Sequence, residues 1–345
     1  MACAAEKMAC AAEQQMNDME TATFGLVCEE FTREDALKHI NACRSIHKNC
    51  RSVVGIQYST EKGVIRSPVP DDGVSWEVPL LDYTPIEYTT DKILGKGGEV
   101  PPYADDEKYI RDYKFNARDD VMGKFDAKKG LLDRTSFEGP YQFDKNTHHP
   151  INPRGRTGIT GRGRLGRFGP NHAADPIVSR FKLDANGVKV LDPKGNYILE
   201  VVLIKRKDNG EWAIPGGMVE TGDTVNDTLK KEFGEEALAQ LEMDPKTRAE
   251  TKAQIDNLFS KAGGVDIYSG YVDDPRNTDN AWMETVVKNF HDADGKSVGK
   301  FHLRAGDDAT KAQWTEVNKD TKLYADHAAY IRAVLELRVP QEIKQ

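Results

Sequence analysis

The sequence has no long apolar run. Its longest candidate is LEVVLI at Leu199–Ile204, far short of the roughly 18 residues that a membrane-spanning helix requires. No span across a bilayer is therefore expected. Cysteine is absent beyond residue 50: Cys3, Cys10, Cys28, Cys43 and Cys50 make five, an odd number with no secretory leader before them. That pattern excludes a disulfide scaffold and fits reduced thiols. His47 stands between Cys43 and Cys50, but the spacing matches no zinc-ligand pattern. A surplus of positive charge is also missing, since 48 Lys and Arg face 56 Asp and Glu for a net charge of −8. This argues against broad capture of nucleic acid or anionic membrane and makes a small molecule or a metal ion the more natural partner. The N-terminus lacks the arginines of an import presequence. MACAAEKMACAAEQQMNDMETATF repeats MACAAE and sets Glu6, Glu13, Asp18 and Glu20 against Lys7 alone, as expected of a cytoplasmic tail.

What is present is a chain of 345 residues, 38% hydrophobic and 30% charged, the balance of a soluble protein with two domains. Three regions are expected. Residues 1–50 form a tail and helical extension, with helical spacing at Ala36, Ile40 and Ile46 after Thr32. Residues 51–170 form a first domain in which SVVGIQYST, VSWEVPL and IEYTT read as short strands among prolines and long polar segments. No nucleophile and base stand there at informative spacing, so this lobe is expected to shape the substrate site. Residues 171–340 form the second domain.

Near the boundary, NPRGRTGITGRGRLGRFGPNHAADP interleaves Arg154, Arg156, Arg162, Arg164 and Arg167 with six glycines. Guanidinium forks on a backbone free to approach an anion would suit a diphosphate. An exposed basic linker and an RNA-binding arginine-glycine segment have the same composition.

From Tyr197 the pattern is regular. YILEVVLIKRK is a strand, DNG at Asp208–Gly210 a hairpin turn, and EWAI the return strand before Pro215. A helix is expected from about Thr224 to Gln240, with Val225, Leu229, Phe233, Ala237 and Leu241 as its apolar stripe. At about 100° per residue, Glu232, Glu235 and Glu236 fall within roughly one 100° arc. Such clusters are often plain solvated faces. Two carboxylates roughly 6 Å apart, however, repel by about 3 kcal/mol at an effective dielectric of about 20, so a partly enclosed trio calls for a cation. Oxygen ligands of this kind suit Mg²⁺, with Mn²⁺ as the alternative. Gly234 costs about 1 kcal/mol of helix propensity relative to Ala, which points to close packing there. Gly216 and Gly217 allow the preceding loop to approach the same ion or its substrate.

These residues resemble the Nudix box, G-x5-E-x7-R-E-U-x-E-E-x-G-U, where U is a bulky apolar residue. Gly217, Glu232, Phe233, Glu235 and Glu236 match it, Asp223 and Lys231 replace its first Glu and its Arg, and Leu238 and Ala239 replace its terminal pair. From about Arg66 to about Arg332 the chain is further similar to the two-domain ADP-ribose pyrophosphatases of animal mitochondria and to the homologous ADP-ribose-binding domain of melastatin-type channels. PVPDDGVSW, GRGRLGRFGPNHAADPI, IKRKDNGEWAIPGGMVETG, LKKEFGEEAL and GYVDDPRNTDNAWMET carry that likeness.

The resemblance implies an α/β fold, a Nudix α/β/α sandwich around a mixed sheet, preceded by a smaller loop-rich α+β domain. It implies Mg²⁺-dependent hydrolysis of ADP-ribose to AMP and ribose 5-phosphate, with the mitochondrion as the alternative to the cytoplasm; separately, a monomer is expected. Glu232, Glu235 and Glu236 would be the catalytic metal ligands; the base would be Glu235, Asp307 or Asp308. Substrate contacts would come from Arg162, Arg164 and Arg167 and from Asp273, Arg276, Asn277 and Asp279, though the latter group also reads as an ordinary polar turn. Gly217, Asp223 and Lys231 would brace the box. Tyr324 and His327 stand before a packing helix, adenine contact being the lesser alternative. Hydrolysis of another nucleoside diphosphate derivative, or ADP-ribose sensing without turnover, are the competing readings. Vertebrate channel domains have lost the Glu-Phe pair that stands here as Glu232 and Phe233, which favours turnover.

Overall fold

The computed structural model describes residues 48–51, 57–59, 63–118, 132–207, 209–261, 264–293, 303–304 and 309–339. Four of the cysteines, most of the helix expected after Thr32, Asp208 of the hairpin turn, and Asp307 and Asp308 lie outside the described residues.

The first lobe contains the short helices α1 (Lys48–Arg51) and α2 (Asp91–Leu94) and the strands β1 (Gln57–Ser59), β2 (Val64–Ile65), β3 (Ile86–Thr89) and β4 (Ile159–Gly163). β1 pairs with β2 antiparallel, and β3 pairs with β4 in parallel. The strand expected in VSWEVPL does not form. The carbonyls of Gly73 and Ser75 accept hydrogen bonds from Arg156 Nη1 at 2.9 and 2.6 Å, and the Trp76 indole donates to Asn152 O at 2.8 Å, so this stretch is held by side chains rather than by a ladder.

The second lobe is built on a mixed sheet with the order β11-β6-β5-β10-β9. Its strands are β5 (Gly169–Phe181), β6 (Leu199–Arg206), β9 (Val265–Val272), β10 (Ala281–Asp292) and β11 (Ala309–Glu316), with the short β7 (Trp212–Ala213) on β6 and β8 (Gly217–Met218) on β5. The long β5 and β10 run parallel from Gly169 against Ala281 to Arg180 against Asp292. Helices cover both faces: α3 (Val225–Glu232) and α4 (Pro245–Lys261) on one, α5 (His327–Arg338) on the other. This explains why LEVVLI is apolar without alternation. Leu199, Val201 and Leu203 pack with Tyr330, Ile331 and Val334 of α5, while Val202 and Ile204 pack with Leu229, Phe233 and Leu258 from the opposite layer. The result is the expected α/β/α sandwich. No described helix is long and apolar enough to cross a membrane.

A buried ion pair ties the first lobe to the start of β5. Asp105 and Arg134 are almost wholly inaccessible, and the Asp105 carboxylate accepts both Arg134 Nη atoms at 2.7 and 3.0 Å and the Phe168 N–H at 2.8 Å. Removing one partner leaves an uncompensated buried charge, which costs about 3–5 kcal/mol. Asp105→Ala is therefore expected to lower unfolding stability by about that amount. Urea unfolding that shows less than about 1 kcal/mol of change would contradict this role.

Candidate active site

The candidate site is organised by the Gly216–Gly217 turn. β8 pairs Gly217 with Ala174 and Met218 with Ala173, which lays the turn beside Asp175 of β5. A Cβ on Gly216 would fall 1.9 Å from Asp175 Oδ1, and one on Gly217 would fall 2.3–2.4 Å from the atoms of the Glu232 carboxylate. The Gly216 N–H also donates to Glu236 Oε2 at 2.9 Å. Two residues without side chains thus touch three carboxylates. From the other layer, the Nδ1 of His327 accepts the Ile214 N–H at 3.0 Å. Burial pushes His327 down to about 3, so the ring stays neutral and remains an acceptor.

The acidic helix begins where the sequence places it. Thr224 and Asp227 form a reciprocal capping box, and Leu229 and Phe233 anchor the helix to the core. It does not continue to Gln240. The α-helix ends at Glu232, a π turn spans Phe233–Ala237, and Ala239 is left-handed with φ 48°. Leu241, expected on the apolar stripe, is consequently exposed. A Cβ on Gly234 would meet Gln240 Oε1 at 2.3 Å and Ile255 Cδ1 at 3.2 Å, which accounts for a glycine inside a helical segment. Widened turns of this kind concentrate at functional sites.

Glu232, Glu235, Glu236 and Asp175 open into a cleft of about 760 Å³. Lys231 of the same helix lines it too, and its other cations come from elsewhere: Lys92 and Arg164 from the first lobe, Arg206 and Lys207 at the end of β6, and Arg276 from the loop before β10. Arg276 forks onto Asp274, with Nε to Oδ1 and Nη2 to Oδ2 both at 2.8 Å, and Arg206 lies 4.2 Å from the centre of the Tyr324 ring. Glu232 is pushed up to about 8, by burial first and then by Glu236 and Glu235. Burial pushes Asp175 up to about 6 against the Thr285 hydrogen bond.

Among the described residues no hydrogen bond reaches the Glu232 carboxylate. No three His, Cys, Asp or Glu side chains among them converge closely enough to grip a metal as they stand. Like charges repel across such a set, as the upward push of Glu236 and Glu235 on Glu232 records, and a cation would offset that repulsion. The donor set fits a hard divalent ion, being all oxygen and partly buried, with one carboxylate lacking a hydrogen bond.

Other expected site residues lie elsewhere. Arg162 is buried, its Nη1 spent on the carbonyls of Asp105 and Gly166, and Arg167 is buried against Val219 O and the Thr221 hydroxyl. Asp273 accepts the N–H groups of Asn49 and Cys50, Asn277 holds Tyr271 and Val272, and Asp279 holds Thr157 and Tyr83. Each is held by the interior bonds just given; of the seven expected substrate contacts, Arg164 and Arg276 line this cleft, while Arg162 and Asp279 line a second cavity of about 990 Å³. The exposed-linker reading of the arginine-glycine segment does not match the burial of Arg156, Arg162 and Arg167. Gly163, with φ 58°, is where a Cβ would sit 2.0 Å from the Tyr58 hydroxyl. The brace is also different: Lys231 Nζ pairs with Glu220 Oε1 at 2.9 Å, while Asp223 closes the Glu220–Asp223 turn. Sequence reasoning missed Asp175 and Thr285. The available signal was an acid within the otherwise apolar AADPIV of a buried strand.

Two family models match the chain, one described as NUDT9-like, N-terminal domain over residues 69–169 and one as NUDIX domain over residues 181–334. The chain is 48% identical to the mitochondrial ADP-ribose pyrophosphatase of Rattus norvegicus over 276 residues, which cover 80% of this chain and 75% of that one. It is 43% identical to nudix hydrolase 6 of Caenorhabditis elegans over 83% of this chain and 95% of that one. It is also 44% identical to a transient receptor potential cation channel, subfamily M member-like 2, of Nematostella vectensis, over 79% of this chain and 17% of the channel.

The Lys231 pair is partly exposed, so its loss should cost no more than about 1 kcal/mol of stability, while loosening the loop that faces the carboxylates. Glu220→Gln is expected to reproduce the loss of turnover caused by Lys231→Ala, and Asp223→Asn is not. Turnover and thermal midpoints of the three variants check this; equal effects of Glu220→Gln and Asp223→Asn would reject the assignment.

Proposed function

We infer the chemistry of this cleft from the premise that the chain belongs to the Nudix family and carries a NUDT9-like N-terminal domain. The cleft hydrolyses the diphosphate of ADP-ribose: water adds across the P–O–P bridge, giving AMP and ribose 5-phosphate. The single observation that carries this reading is the composition of its walls. A diphosphate that must be gripped and also activated needs cations for its oxygens and carboxylates for a metal, and both line one cleft.

In this proposal Glu232, Glu236 and Glu235 hold a divalent metal, Mg²⁺ by preference and Mn²⁺ as the alternative. When bound, that ion would neutralise the diphosphate and lower the pKa of a coordinated water. Arg164 and Arg276 grip the diphosphate, and the fork of Arg276 onto Asp274 fixes its orientation beforehand. Glu235 is our candidate for accepting the proton of the attacking water; it lines the cleft on the π turn. We propose the cytoplasm as its location, the mitochondrion being the alternative carried by the name of the rat relative.

A second reading, ADP-ribose recognition without turnover, draws on the likeness to a channel segment. Incubation with ADP-ribose and Mg²⁺ followed by chromatography separates the two. AMP and ribose 5-phosphate in equal amounts support hydrolysis; tight binding with ADP-ribose recovered intact supports sensing.

Glu232→Gln and Glu236→Gln should each lower turnover at least roughly a hundredfold with the fold intact, because each removes a charged ligand at near-constant volume. Near wild-type rates at saturating Mg²⁺ would reject the metal assignment. Arg164→Ala and Arg276→Ala should raise KM for ADP-ribose, whereas Arg162→Ala should chiefly lower the thermal midpoint. Unchanged KM in both cleft variants would return these arginines to a structural role.

A further inference from the structure

Asp175 is a carboxylate that the box does not supply. It comes from β5, lines the cleft, and is only 8% exposed. One oxygen is fixed: Thr285 on the adjacent β10 donates its hydroxyl to Oδ2 at 2.6 Å. Among the described residues no hydrogen bond and no ion pair reaches Oδ1, and this oxygen sits against Gly216 so closely that a Cβ there would come within 1.9 Å. Gly216 in turn donates its N–H to Glu236, and the next residue abuts the Glu232 carboxylate. Asp175 and the box carboxylates therefore face one two-residue turn. Arg276 and Arg206 act on Asp175 through space, but among the described residues neither forms a hydrogen bond or ion pair with it; Arg276 is forked onto Asp274.

Burying a carboxylate with one hydroxyl donor is costly unless something pairs with it. A residue whose work was only to hold Thr285 would be served by Asn or Ser at less cost. A carboxylate oriented by a hydroxyl, with its other oxygen free, is instead the arrangement of an oxygen ligand held in place by a neighbour.

We propose that Asp175 is a further cation-binding carboxylate of this cleft, contributed by the sheet and oriented by Thr285, so that the divalent ion is held between β5 and the box helix. It rests on the metal reading given above. The site would take a hard divalent cation through Oδ1, and the Gly216–Gly217 turn would set the separation between Asp175 and the box carboxylates.

The test is Mn²⁺ binding to the full-length protein without substrate, followed by electron paramagnetic resonance, for wild type, Asp175→Asn and Glu232→Gln. Asp175→Asn is expected to weaken Mn²⁺ binding by roughly 10- to 100-fold. If Glu232→Gln weakens binding and Asp175→Asn leaves it at wild-type strength, with or without a lower thermal midpoint, Asp175 is a structural residue and the inference is overturned. If neither substitution changes binding, the metal reading itself has failed and this inference with it. Should Asp175→Asn not fold, Mg²⁺ titration of wild-type protein carrying ¹³Cγ-labelled aspartate replaces it. The Asp175 resonance is expected to move with Mg²⁺, and a stationary resonance overturns the proposal.

Discussion

The contact on which the site depends is the approach of two glycines to three carboxylates. Gly216 lies against Asp175 and donates to Glu236, and Gly217 lies against Glu232, so closely that a methyl group on either would have to displace a carboxylate. The turn can hold that position because each end is pinned. β8 ties it to β5, and the neutral ring of His327 accepts the amide of Ile214 two residues earlier. The carboxylates are held just as firmly, since the capping box starts α3 at a fixed residue and Leu229 and Phe233 lock it onto the sheet, each worth about 1.5–3 kcal/mol of burial. The π turn then carries Glu235 and Glu236 into the same cleft as Glu232.

The first lobe contributes in a different currency. Its buried arginines are struts: Arg156 gathers the carbonyls of Gly73 and Ser75, Arg162 those of Asp105 and Gly166, and Arg66 those of Thr157, Pro275 and Asn277. Arg66 links the first lobe to the loop that carries Arg276. A guanidinium fork can satisfy several carbonyls at once, which suits a segment with few strands and many turns. The same lattice brings Arg164 and Lys92 to the edge of the cleft.

Much of this was legible in the sequence. The uninterrupted LEVVLI announces a strand covered on both faces, Thr224 announces the helix start, and the spacing of Glu232, Glu235 and Glu236 places them together. Where the structure places residues otherwise than the sequence suggests, the reasons are physical. Spacing does not report which arginines are spent on backbone carbonyls, so Arg162 and Arg167 looked equivalent to Arg164. Polar composition does not distinguish a loop that binds from a loop that holds itself, so Asp273, Asn277 and Asp279 looked like ligands. A one-dimensional alignment paired Lys231 with Asp223, although the turn at Glu220–Asp223 turns Glu220 toward it. Asp175 lies 42 residues before Gly217, where the box begins, and meets it only because β8 pairs with β5.

The central claim is that the glycine turn sets the position of Glu232, and Gly217→Ala tests it most directly. The new Cβ would fall 2.3 Å from the carboxyl carbon of Glu232, the end of a flexible side chain that can swing away. Stability should then change little, by less than about 1 kcal/mol, while turnover of ADP-ribose falls at least roughly a hundredfold through displacement of one carboxylate. A Gly217→Ala protein that turns over ADP-ribose at the wild-type rate would contradict the account.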